Sequence, residues 1–336
     1  MMINRHLLPL VVGITLYLLV FPATVQLGLG QTTVGFYRYS CPNAEAIVSD
    51  VVRFFYQNDR TIAPGLLRMH FHDCFVRGCD GSVLIDGSSS EKTAVPNLTL
   101  RGFEVIDDAK KELESICPGV VSCSDILALA ARDSVYLTGG PRWNVPTGRR
   151  DGFVSSASDV NLPSFTDSVD EQKRKFADVG LNARDLVALL GGHTIGTAQC
   201  QTFSYRLYNF SPDGGPDPTI NPDYLETLRN LCPLGGDGTK RVMLDDGSEF
   251  DFDRSYYYNL KKGKGLLESD QKLWTEDRTT SNRVSSYTGL LSDLLGGLLG
   301  GGFEDDFIDG MVKMGNIGVN TGDSGEIRRV CWQFND

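Results

Sequence analysis

Histidine is rare in this chain, with four in 336 residues, and beyond residue 30 only His70, His72 and His193 remain. That scarcity argues against a hydrolytic zinc site: His70 and His72 diverge on a helix, and no third histidine lies near them in sequence. Alternating apolar and polar runs are few and short, which argues against an all-β architecture and leaves a chain that reads as mostly α. Positive charge is also in deficit. A net charge of −11 and a pI near 4.9 give no electrostatic basis for binding nucleic acid or acidic polysaccharide. No repeat of solenoid length is visible, and no second membrane-spanning run follows the first apolar stretch.

That first stretch, Leu7 to Ala23, follows Arg5 in a segment without acidic residues and is succeeded by the small residues around Gly28 and Gly30. The pattern is that of a cleaved secretory signal over residues 1–30, and Pro9, Gly13 and Pro22 disfavour a retained membrane anchor. The mature protein, residues 31–336, would begin at Gln31 and lie outside the cell. All eight cysteines fall in it. An even number in a secreted chain points to disulfides, although spacing alone leaves every pairing open. Cys74 and Cys79 have no matching second pair, as a zinc site would require.

Helical signals run along the chain. Ala46, Ile47, Val51, Phe54 and Phe55 recur at helical spacing, and Pro64 suits the first turn of a helix carrying Arg68 and His72. Ser122, three residues before Asp125, resembles an N-cap, and Asn182 precedes another apolar helix that Gly191 and Gly192 should end. Loops are expected at 88–97, 210–221, 234–254 and 289–302.

Arg68 and His72 are four residues apart, hence on one helical face. A fixed cation beside a neutral imidazole suits cleavage of a polarised O–O bond, since the ring can move a proton between the oxygens while the guanidinium stabilises developing charge. Such chemistry needs an oxidisable metal opposite. His193 could hold it, and haem iron on a proximal histidine fits best. A lone histidine is more often structural; only the company of Arg68 and His72 raises this one above that reading. His70, on another face, reads as structural.

Taken together and in order, the runs Arg68 to Cys74, Cys79 to Ser82, Gly139 to Asp151, Gly191 to Gly196, Ser269 to Gln271 and Met314 to Gly318 resemble the class III secretory plant peroxidases over essentially the whole mature length. The resemblance implies a two-domain helical fold with haem b (iron protoporphyrin IX) between a distal half carrying His72 and a proximal half carrying His193. It implies reduction of hydrogen peroxide with one-electron oxidation of small phenolic donors. Arg68, His72 and Asn97 would be the catalytic set, with Arg68 stabilising the transition state and Phe71 limiting approach to the haem. Asp270 would accept the N–H of His193, and the Pro163 carbonyl would meet the donor.

The same resemblance implies two calcium ions. The distal one would take Asp73, Val76, Gly78, Asp80 and Ser82, with Glu91 acting through water; the proximal one would take Thr194, Asp245, Ser248, Asp251 and Asp253. Ser248 and Arg254 depart from the family's usual threonine and asparagine. The implied disulfides are Cys41 with Cys117, Cys74 with Cys79, Cys123 with Cys331, and Cys200 with Cys232. Asp125 and Arg149 would form a structural ion pair. The protein should be an anionic, extracellular monomer of the apoplast or cell wall, acting under oxidative stress and glycosylated at Asn209 but not at the second sequon, Asn97. A calcium- or wall-binding protein that kept the fold and lost the chemistry is the rival, but all of Arg68, His72, Asn97, His193 and Asp270 are present.

Overall fold

The computed structural model describes residues 32–289 and 302–336. The signal expected at 1–30 and almost all of the Gly/Leu-rich segment 289–302 lie outside the described residues. As the scarcity of alternation requires, helices dominate, and among the described residues the strands amount to two short antiparallel ribbons. In one, β1 (Thr33–Val34) pairs with β2 (Pro146–Thr147); in the other, β3 (Thr197–Gln199) pairs with β4 (Arg241–Met243).

The first half is a packed group of α1 (Ala44–Asn58), α2 (Ile62–Cys74), α3 (Phe103–Ile116) and α4 (Cys123–Leu137), with α2 and α1 both lying on α4. Helix α4 is buried nearly all round, which its run Ile126 to Ala131 anticipates. Ser122 caps it by accepting the Asp125 N–H at 3.1 Å. The helix expected from that spacing is α1: Ala44, Val48 and Val52 are its fully buried residues, Ile47, Val51 and Phe55 pack half-buried on the same core, and Ala46 and Phe54 face out.

The second half holds α5 (Val169–Asp178), α6 (Ala183–Leu190), α7 (Cys200–Tyr208), α8 (Pro222–Leu231), α9 (Ser255–Lys261), α10 (Glu268–Thr275), α11 (Arg278–Tyr287) and α12 (Phe303–Met314). Asn182 and Asp185 form a reciprocal capping box at the start of α6, a device worth about 1 kcal/mol. Gly191 and Gly192 end the α-helix but not the winding, which tightens into a 3-10 turn over Gly191–Thr194. His193 therefore sits on a 3-10 turn. Two of the expected loops also contain structure: short 3-10 turns at Glu91–Thr93 and Val95–Asn97, and β4 within 234–254. A satellite core of Phe203, Leu207, Ile220, Tyr224 and Leu228 stands apart from the main one, with Ile220 supplied by the 210–221 loop.

The four disulfides occur in the pairing that the resemblance implies: Cys41–Cys117, Cys74–Cys79, Cys123–Cys331 and Cys200–Cys232. Asp125 and Arg149 make a fully buried pair at 2.7 Å, joined by the Tyr37 hydroxyl at 2.6 Å.

Candidate active site

Helix α2 aims Arg68 and His72 from one face. The His72 ring is buried, with Nδ1 2.6 Å from Asn97 Oδ1. The network fixes its tautomer. Asn97 Nδ2 donates to the Glu91 carbonyl at 2.7 Å, so Asn97 Oδ1 is the acceptor and His72 Nδ1 must carry the hydrogen. Nε2 is then left with a lone pair. Burial and the Arg68 charge push the His72 pKa down to about 3, against a smaller opposing effect of Asn97, so the ring stays neutral at ordinary pH.

The Arg68 guanidinium is held by the Thr99 hydroxyl and the Pro96 carbonyl, both at 2.9 Å. Thr99 was legible only as the third residue of a sequon. In the structure Asn97 is buried against His72, while Thr99, itself exposed, accepts a hydrogen bond from Arg68. Phe71, half-buried beside His72, stacks at a tilt on Phe75 with ring centroids 4.6 Å apart. His70 is buried away from this face against Cys74, and burial followed by the Arg149 charge lowers its pKa to about 3. The nearby Cys74 and Cys79 sulfurs are consumed in their disulfide, so the trio is no metal site.

On the second half, His193 Nδ1 lies 3.0 and 3.1 Å from the two oxygens of Asp270, which α10 carries and buries completely. Burial opposes charge on this ring, but the carboxylate outweighs it and raises the pKa. The Nδ1–H donates to Asp270, leaving Nε2 as the available ligand atom on a side chain that is 37% exposed. The Arg68 charge opposes protonation of both rings. Two imidazoles with Nδ1 engaged, one by an amide and one by a carboxylate, fit a haem held on the carboxylate side. Pro163 lies half-buried in a stretch tied to α10 by the bond from Ser269 N to Phe165 O at 2.9 Å.

Below α2, Asp73 accepts the Gly81 N–H at 3.0 Å and Asp80 accepts the Ser82 N–H at 3.0 Å, while Cys74–Cys79 closes the loop containing Val76 and Gly78. Gly78 has φ +101°, and a Cβ there would meet the Gly318 carbonyl at 2.6 Å, so only glycine permits the closure. Among the described residues, Ser82 Oγ and both carboxylate oxygens of Glu91 are buried without a hydrogen-bond partner. Each such atom costs about 1–3 kcal/mol unless something satisfies it. Burial raises Glu91 to about 8 and Asp73 well above the carboxylate range, the second aided by Asp80. Orphaned hard oxygens and crowded carboxylates fit a calcium ion. Ser155, missed in the sequence, tightens this site by donating to the Ser82 carbonyl at 2.8 Å and accepting the Glu91 N–H at 3.0 Å.

The proximal oxygen set also converges. Thr194 Oγ1 is 3.0 Å from Asp245, 3.3 Å from Asp253 and 3.5 Å from the Asp251 carbonyl, which Ser248 also approaches at 3.0 Å. Burial raises Asp245 to about 6, against hydrogen bonds from Ser255, Asn259 and Thr194. Ser255 and Asn259 carry no sequence signal for this role, since their partner lies ten or more residues away.

A family model described as Peroxidase matches residues 48–289. The chain is 58% identical to Peroxidase N1 of Nicotiana tabacum over 320 residues, 95% of each chain. Over 302 residues, 90% of each chain, it is 57% identical to Peroxidase 25 of Arabidopsis thaliana; over 315 residues, 93% of each, it is 55% identical to Peroxidase 71 of the same plant.

Proposed function

As this chain belongs to the class III plant peroxidases, haem enzymes that reduce hydrogen peroxide, we propose that it carries haem b between His72 and His193 and oxidises small phenols one electron at a time. The single observation that carries the site assignment is the matched pair of imidazoles, each with Nδ1 engaged and Nε2 free. Haem iron, when bound, supplies the redox chemistry that divides the peroxide bond. His193 holds the group through Nε2, and Asp270, by accepting the Nδ1 hydrogen, makes the ring a stronger electron donor. His72 takes a proton at Nε2 from one peroxide oxygen and returns it to the other, so that water leaves. Arg68 stabilises the charge that develops as the bond breaks. Asn97 keeps the His72 tautomer, Phe71 narrows the approach, and the Pro163 carbonyl receives the hydrogen bond of a phenolic donor.

Two calcium ions complete the proposal, one on Asp73, Val76, Gly78, Asp80 and Ser82 with Glu91 through water, the other on Thr194, Asp245, Ser248, Asp251 and Asp253. Residues 1–30 act as a secretory signal, and the mature monomer works in the apoplast or wall. No helix among the described residues is long and apolar enough to cross a membrane.

The experiment is the absorption spectrum of His193→Ala beside wild type after gel filtration. The expected result is loss of most haem from the variant; full retention of the wild-type haem band would remove His193 from its role.

A further inference from the structure

Behind His193 stands a file of tyrosines that peroxide reduction at the haem does not require. The Tyr256 ring centroid is 6.3 Å from that of His193, Tyr257 is 5.0 Å beyond Tyr256, and Tyr287 is 4.8 Å beyond Tyr257. All three are buried, and Phe303 walls the last two at 5.0 and 5.7 Å. The file ends on a base. The Tyr287 hydroxyl donates to Asp306 Oδ2 at 2.5 Å, a short bond between a phenol and a carboxylate that also pairs with Arg184 and Arg283.

We propose that Tyr287, with Asp306 as its proton acceptor, is a second redox site, oxidised through Tyr256 and Tyr257 by one equivalent taken from hydrogen peroxide. The proposal rests on His193 being the iron ligand. Tyr287 gives one electron along the file to the oxidised haem centre that peroxide reduction produces, and its O–H breaks as the proton passes to Asp306. An oxidised phenol is a strong acid, so even a carboxylate held by two guanidinium groups takes that proton. A phenolic donor later returns the electron, Asp306 returns the proton to Tyr287, and the donor, now a radical, loses its own proton to water.

The three tyrosines differ in where their protons could go. Tyr257 donates to the Val187 carbonyl at 2.9 Å, which is too weak a base to keep a proton. The carboxylate that acts on Tyr256 is Asp270, whose two oxygens both contact His193 Nδ1, the side of the proposed iron ligand. Only Tyr287 has a carboxylate in hydrogen-bond contact that is free of the haem side. The first two rings therefore conduct and the third retains the radical.

The test is electron paramagnetic resonance of haem-loaded protein frozen after peroxide is added without donor, using tyrosine deuterated on the ring. Wild type should give a protein radical whose hyperfine structure collapses on deuteration. Tyr287→Phe, which removes one hydroxyl from the file, should lower that signal at least tenfold, and Asp306→Asn, which keeps the phenol but removes the acceptor, should lower it comparably. The resting ferric signal of each variant, read in the same tube, reports that haem is in place. A wild type without tyrosyl radical, or an undiminished radical in Tyr287→Phe with normal ferric signal, would overturn the inference. Failure of the His193 assignment looks different, since it appears as unchanged haem retention in His193→Ala.

Discussion

A single amide sets the chemistry of His72. Because Asn97 spends its N–H on the Glu91 carbonyl, its oxygen faces the imidazole and dictates which ring nitrogen is bare. Asn97→Val removes that acceptor, and the rate of reaction with peroxide should fall by about 10–100-fold while the haem band is kept, as expected for loss of a partner that orients a reacting group. Stopped-flow absorption measures both, and an unchanged rate would show that the tautomer is fixed by something else. The pH dependence follows with a definite sign. His72 accepts a proton only when neutral, and its pKa lies near 3. The peroxide rate constant should therefore be flat from neutral pH to about 4 and drop about tenfold per unit below about 3. A break near pH 6.5 would mean a solvated ring. At this scale the sequence was readable wherever a residue type is chemically unusual in its place, as Arg68, His72 and His193 are. It was silent on Thr99, Ser155, Ser255 and Asn259, whose hydroxyls and amides matter only through partners far along the chain.

Among the elements, helix α2 and the loop after it do two jobs, presenting His72 on one side and Asp73 on the other. A cation on Asp73, Asp80 and Ser82 would thus fix the end of the helix that aims the imidazole. The orphaned oxygens of Ser82 and Glu91 give that idea a measurable consequence. Chelating calcium from the holoenzyme should lower the thermal midpoint by several degrees, because a ligand present at 100 times its Kd contributes about 2.7 kcal/mol. Readdition of calcium should restore the midpoint, whereas a midpoint indifferent to chelation and calcium would leave the orphaned oxygens without their cation. Element type was legible from composition, and caps such as Ser122 and Asn182 were legible because their side chains bond locally. The innermost row of α1 was not, since helical spacing through Ile47, Val51 and Phe55 does not show that Ala44, Val48 and Val52 lie deepest or that Phe54 faces out. Nor could spacing show that the turn after α6 rewinds as a 3-10 helix, which depends on how Gly191 packs: a Cβ there would lie 2.2 Å from the Tyr257 hydroxyl.

Across the whole molecule, the C-terminal segment closes over the first half. Cys331 joins Cys123, and Arg328 donates to the carbonyls of Asp80 and Gly81 at 3.2 and 2.7 Å, so the C-terminal segment supports the distal loop. Long-range closure of this kind has no local signal, and the disulfide pairing entered through family resemblance alone. Folding also separates two sequons that the motif makes equal. Asn97 is 2% exposed and engaged by His72, while Asn209 lies on the surface at the end of α7. Peptide mass mapping of active enzyme should find glycan on Asn209 and none on Asn97, and substantial occupancy at Asn97 would contradict its burial against His72. The central claim is that the two histidines have different work, one holding haem and one moving the peroxide proton. Its most direct test is stopped-flow absorption of haem-loaded His72→Ala mixed with hydrogen peroxide. The account predicts a normal resting haem band and a rate constant lower than wild type by about 10²–10⁴-fold, the range of a lost general acid–base group; a variant that keeps haem and reacts within tenfold of wild type would contradict it.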